Sequence, residues 1–144
     1  MRLVDVNLLL YAYDKSASLH EPAKDWLTSE FNAREPTGLS YSTVLAFVRI
    51  ATSPRIMREP LDIKRACEVV EDWLCQPSVV LLAPSERHWS IFTEVAITSQ
   101  STAGLVPDAD LAASALEHGA TLCTNDRDFS RFPKLRVEYP LENT

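Results

Sequence analysis

The spacing of apolar positions changes period several times along this chain, and each change marks an element. Leu3-Val4-Asp5-Val6 is a short, branched-rich run that reads as a buried strand, and Asn7 then opens an apolar stretch from Leu8 to Tyr13 with helical character. His20-Glu21-Pro22 has the form of a helix start, with proline accepted in the first turn and Ala23, Trp26, Leu27 and Phe31 as the apolar stripe. A further helix is predicted over Ser42 to Thr52 on Val44, Phe47, Val48 and Ala51. Asp62 is suited to cap the next one, whose Ile63, Ala66, Cys67, Val70, Trp73 and Leu74 keep the clearest helical spacing in the chain. Val79 to Ala83 reads as a buried strand, and Ser85 as the cap of a helix carrying Trp89, Phe92, Val95 and Ala96. Gly104 breaks the pattern. Pro107 then opens a helix to His118, with Gly119 as its stop, followed by a strand from Ala120 to Thr124. Asn125 to Phe132 is a polar loop or short helix, and Leu135 to Tyr139 a final strand. Strands alternating with helices predict an α/β three-layer domain with a mainly parallel sheet.

Length fits that picture. With 144 residues and 46% hydrophobic content, the expectation is one domain over residues 1–144 with one core. Cys67, Cys75 and Cys123 lack CxxC or Cys/His spacing, which argues against a disulfide framework and a structural zinc site and for a reduced, cytoplasmic protein. Asp5 interrupts any leader-like start, and no apolar run approaches the roughly 20 residues a membrane span needs, so no membrane partner is expected. The net charge of −6 disfavours a broad basic face for nucleic acid, unless several acids surround a metal that bridges protein to phosphate.

The chemistry is carried by carboxylates. In open parallel sheets, ligands gather beyond the carboxyl ends of the strands. Asp5 ends the first strand and Asp126 follows the Ala120 to Thr124 strand, while Asp108 shares a helix face with Leu111, Ala112 and Ala115. Taken singly, Asp5 reads equally as a helix cap, Asp108 as an acid favoured by the helix dipole and Asp126 as turn chemistry. Three unpaired carboxylates brought together repel unless a cation compensates them, and hard oxygen ligands suit Mg²⁺ or Mn²⁺ and a phosphodiester substrate. Asp110 is rotated about 200° from Asp108 and is expected in solvent; Asp128 is read as a supporting acid or a local cap. Other chemistries find little footing. His20, His88 and His118 are scattered, no Gly-x-Ser-x-Gly surrounds a serine, and three glycines cannot build a phosphate-cradling loop. Asn7 stands where a phosphohydrolase with Asp5 as nucleophile needs a second acid. Trp26, Trp73 and Trp89 are assigned to core packing or a dimer face.

Leu3-Val4-Asp5-Val6-Asn7, Pro107-Asp108-Ala109-Asp110-Leu111-Ala112-Ala113 and Thr124-Asn125-Asp126-Arg127-Asp128-Phe129, in that order, resemble the PIN-domain family, particularly the VapC toxins of bacterial toxin–antitoxin pairs. The likeness extends to Leu45-Ala46-Phe47-Val48-Arg49 and Glu117-His118-Gly119. It implies a PIN-like α/β/α domain, a Mg²⁺- or Mn²⁺-dependent endoribonuclease acting on cellular RNA, a homodimer and a VapB-type antitoxin partner. By the same likeness Asp5, Asp108 and Asp126 match the metal-binding acids, Asn7 supports the first, Thr124 supplies a hydroxyl and Asp128 stands in reserve. Arg49 and Arg127 are expected near the path of RNA or antitoxin. The departure is Val44, which stands where the family commonly has glutamate, so a one-metal site is expected. The alternative is a catalytically weak PIN domain that acts mainly by binding RNA or antitoxin.

Overall fold

A computed structural model describes residues 1–142. Five strands, β1 (Arg2–Val4), β2 (Thr37–Ser40), β3 (Val79–Leu82), β4 (Thr121–Cys123) and β5 (Val137–Glu138), form one parallel sheet in the order β3-β2-β1-β4-β5. The helices are α1 (Val6–Tyr13), α2 (His20–Phe31), α3 (Tyr41–Ala51), α4 (Ile63–Leu74), α5 (His88–Ser99) and α6 (Val106–Glu117). Short 3₁₀ turns cover Ala103–Leu105 and Arg127–Arg131. The layers follow from the two-residue period of the strands. Val4, Leu39, Val79 and Cys123 pack with α1 to α4, whereas Leu3, Leu82 and Leu122 point to the other face and meet α6 and Phe92, Val95 and Ala96 of α5. Both faces are covered, as a parallel sheet requires.

One strand has no signature in the apolar pattern. Thr37-Gly38-Leu39-Ser40 carries a single large apolar residue, yet all four positions are buried because β2 lies between β1 and β3. Gly38 serves packing here. A Cβ at this position would come within 2.7 Å of Leu82 Cδ1 and 3.4 Å of Leu3 Cδ1. Two further expectations shift. The last strand is only Val137–Glu138, and α5 starts at His88 with no side-chain cap, because Ser85 Oγ instead accepts from Arg87 N in the preceding turn.

Helix α5 is fastened to α6 by a polar clamp. His88 Nε2 lies 2.7 Å from Asp110 Oδ1 and His88 Nδ1 lies 2.9 Å from Glu117 Oε2, two turns apart on α6. Asp110 is therefore paired with a histidine, contrary to the solvated position expected for it. Burial lowers the His88 pKa, but the hydrogen bonds and charges of Asp110 and Glu117 outweigh it and the net shift is upward. Burial raises Glu117, and its bonds to Ser85 and His88 more than reverse that.

Two outcomes test these features. Gly38→Val is expected to lower the urea unfolding free energy by roughly 1–3 kcal/mol through overpacking against Leu82. For His88, whose folded pKa is raised, the clamp's contribution is complete below the unfolded pKa and fades as pH rises through the folded one. The difference in melting temperature between the parent chain and His88→Ala should accordingly be larger in mild acid than in mild alkali, measured in paired thermal scans.

Candidate metal centre

The register of the central strands sets the site. Val4 pairs with Cys123, and the next residues, Asp5 and Thr124, leave the ends of β1 and β4 side by side. Extending the β1–β2 register in the same way puts Ser40 across from Asp5 on the other flank. The sheet order reverses between β1 and β4, and a crevice at such a switch point is where open α/β sheets receive ligands.

Asp5 is 8% exposed and firmly held. Its extended backbone makes it the N-cap of α1, with Oδ1 accepting from Val6 N at 2.7 Å. Oδ2 accepts from Thr124 Oγ1 at 2.6 Å and from Asn7 Nδ2 at 3.2 Å. Thr124 Oγ1 in turn accepts from Asn7 Nδ2 at 3.2 Å and from Asp126 N at 3.0 Å, while Asn7 Oδ1 accepts from Asn125 N at 3.2 Å. Asp5, Asn7 and Thr124 thus form one network tying β1 to the loop that carries the second acid. Capping and clustering are compatible roles for Asp5, since Oδ1 keeps a second lone pair beyond its bond to Val6 N.

Asp126 caps the 3₁₀ turn, with Oδ1 accepting from Asp128 N at 2.9 Å, and Asp108 sits half-buried in the first turn of α6. Asp108, Asp126 and Asp128 each offer an oxygen within 4.8 Å of the others, and Asp5 adds its charge beside them. The tightest group contains Asp128 where the sequence reading had Asp5, because the turn that follows Asp126 folds Asp128 back toward Asp108. Burial raises the Asp108 pKa to about 6, helped by repulsion from Asp126, Asp5 and Asp128 and opposed by Arg131. Burial also pushes Asp5 up, against its hydrogen bonds to Thr124 and Val6 and with repulsion from Asp126. Carboxylates that impede one another's ionisation are a donor set suited to a divalent cation. Among the described residues no cysteine joins this group, and burial and the charges of Glu138 and Glu30 push the Cys123 thiol up to about 12.

Around this centre the candidates separate. Arg127 is paired, 2.9 Å from Glu142 and stacked 4.0 Å above the Tyr139 ring. Arg49 is exposed near the end of α3. Val44 is 6% exposed and packs in the core, so α3 brings no acid; at its start Ser40 Oγ instead bonds Thr43 Oγ1 at 2.9 Å and Ser42 Oγ at 3.0 Å. Arg131 was not singled out by the sequence reading. Its only signal was a spacing of three residues from Asp128.

A helix-covered parallel sheet with acids gathered at its switch point defines an α/β domain with a carboxylate centre. The PIN domain profile matches residues 2–135, and the chain belongs to that family. Ribonuclease VapC37 of Mycobacterium tuberculosis is 39% identical over 140 residues, spanning 97% of each chain. VapC ribonuclease Mb2897 of Mycobacterium bovis is 37% identical over 142 residues, 99% of this chain and 97% of the relative. Among solved structures, VapBC-1 from nontypeable Haemophilus influenzae matches the fold with a TM-score of 0.72 at 19% identity, covering 98% of both chains. VapBC2 from Rickettsia felis, solved on a fragment of promoter DNA, gives 0.71 at 17% identity, covering 95% of this chain and 96% of its own.

The crowding of carboxylates has a measurable sign. A carboxyl whose pKa is raised on folding binds its proton more tightly in the folded chain, so Asp108 opposes folding above about pH 6 and ceases to do so below its unfolded value of 3.8. Asp108→Asn is expected to raise the melting temperature in EDTA at neutral pH, with the gain vanishing in acid. Added Mn²⁺ should stabilise the parent chain more than this variant, which calorimetric scans at several metal concentrations will show.

Proposed function

We propose that this chain is a divalent-metal-dependent endoribonuclease, the toxin of a type II toxin–antitoxin system, hydrolysing phosphodiester bonds of cellular RNA. The observation that carries this reading is the meeting of Asp108, Asp126 and Asp128 beside Asp5 at the sheet's switch point. The ribonuclease names of relatives similar over nearly the whole chain support it. So does the fold likeness to a Mycobacterium tuberculosis VapC20 described as a sarcin-ricin loop cleaving toxin.

Asp5, Asp108 and Asp126 would hold Mg²⁺ or Mn²⁺, with Asp128 as a further ligand. When bound, the ion supplies Lewis-acid neutralisation of phosphate charge and activation of water. The chain's own work is positional. Thr124 and Asn7 each donate one hydrogen bond to the Asp5 carboxylate and are bonded to one another, and the capped turn fixes Asp126 relative to Asp128. The one-metal version is favoured by buried Val44, which leaves only hydroxyls at the start of α3. That same residue favours the second reading, a PIN domain that binds RNA or antitoxin with little turnover. A VapB-type antitoxin and a homodimer belong to the proposal. The VapBC complexes among the fold neighbours support the first, and Trp89 and Ile97, 72% and 76% exposed on α5, support the second.

The test is cleavage of labelled RNA by the purified chain in Mn²⁺. EDTA should abolish it, and Asp108→Asn should reduce it by at least about a hundredfold with the circular dichroism spectrum unchanged. Cleavage that survives EDTA, or that persists when Asp5 and Asp108 are both replaced, would defeat the proposal. RNA bound without turnover would select the second reading.

A further inference from the structure

The 3₁₀ turn after Asp126 places a cation as well as an acid. Three residues complete a turn of 3₁₀ helix, so residues three apart lie one above the other. Phe129 and Phe132 make the inner pair, 1% and 4% exposed with ring centroids 6.0 Å apart, packed in the cluster that contains α6. Asp128 and Arg131 are then the corresponding outer pair, both exposed. The same side of the turn that offers an Asp128 oxygen to the acidic group carries Arg131 one turn, or roughly 6 Å along the axis, further on.

Arg131 is also unspent. The other cations nearby are engaged, Arg127 with Glu142 at 2.9 Å and Lys134 with Glu94 at 3.4 Å, whereas Arg131 makes no ion pair among the described residues. A cavity of about 410 Å³ is lined by Asp128 and Arg131 together with Leu105, Arg127 and Ser130. Four carboxylates and one divalent ion leave the centre two negative charges in excess before a phosphodiester arrives with another. A planar guanidinium, able to donate two parallel hydrogen bonds to phosphate oxygens, answers that need at this position.

We propose that Arg131 is a substrate-binding residue of this site, gripping a phosphodiester oxygen of the RNA strand as it lies in the cavity beside Asp128. The inference rests on the ribonuclease reading, and its test uses binding so that the two can fail separately. A fluorescein-labelled single-stranded RNA is titrated in EDTA with the Asp126→Asn chain, and with the same chain carrying Arg131→Ala, Arg131→Gln or Arg131→Lys, over a series of salt concentrations. Loss of one phosphate contact should weaken binding by roughly tenfold at low salt. It should also reduce the slope of log affinity against log salt by about 0.7 for the Ala and Gln variants. Arg131→Lys should retain the slope. An unchanged slope and affinity in both neutral variants, each with an unchanged melting temperature, would overturn the role of Arg131 and leave the ribonuclease reading standing. A fall in melting temperature with the salt slope intact would make Arg131 structural and also overturn it. RNA binding absent in the Asp126→Asn chain, together with no cleavage by the parent chain, would remove both.

Discussion

The site depends on the pairing of β1 with β4. Those strands are 3 residues each and come from opposite ends of the chain, yet the backbone bond from Asp5 N to Cys123 O, at 2.9 Å, and the Asp5–Thr124 bond just beyond it set the relation of the first acid to the second. A slip of one residue would exchange the faces of Leu122 and Cys123 and carry Thr124 away from Asp5. Hydrophobic packing resists that slip, since Leu3 and Leu122 belong to one core and Val4 and Cys123 to the other. The arrangement of the carboxylates is thus held in place by the burial of four apolar side chains.

Electrostatics pulls against this arrangement. Asp108 is raised to about 6 and Asp5 is raised too, first by burial and then by their neighbours, so the fold concentrates charge where it is costly. Part of the cost is offset by hydrogen bonds at two of the acids: a cap at Val6 N for Asp5, one at Asp128 N for Asp126, and the Thr124 hydroxyl bridging between them. Local helix-capping chemistry and convergence of acids are one design here. The same hydrogen bonds that begin α1 and the 3₁₀ turn aim the carboxylates.

Much of this was legible in the sequence. Asp5 and Asp126 announce themselves by falling just after apolar strands, and Asp108 by an acid on the face shared with Leu111, Ala112 and Ala115. Strand β2 was illegible because Gly38 and the small polar residues around it are buried by neighbouring strands, which a chain-local pattern does not record. Asp110 misled for a related reason: the helical period gives its direction correctly, away from Asp108, but not the presence of His88 on α5 to receive it. The partners of Arg127, Tyr139 and Glu142, lie a strand away and are likewise invisible to a chain-local pattern.

The two flanks of β1 end differently, and that asymmetry bears on how the centre works. Toward β4 and α6 lie Asp108, Asp126 and Asp128 with Arg131 beyond them; toward β2 and α3 lie Ser40, Ser42 and Thr43, hydrogen-bonded to one another. Val44 closes that flank with hydrocarbon and shares the core with Phe47, itself packed edge-on against Trp73 with ring centroids 4.6 Å apart. A carboxylate at Val44 would have to displace part of this packing, at the desolvation cost of a buried charge. The β2 flank is therefore stabilised as apolar and hydroxyl-bearing ground, and charge is confined to the β4 flank. A phosphodiester backbone crossing the crevice would meet acids and a cation on one side and neutral hydroxyls on the other, so its electrostatic grip falls to the 3₁₀ turn that carries Asp128 and Arg131 together.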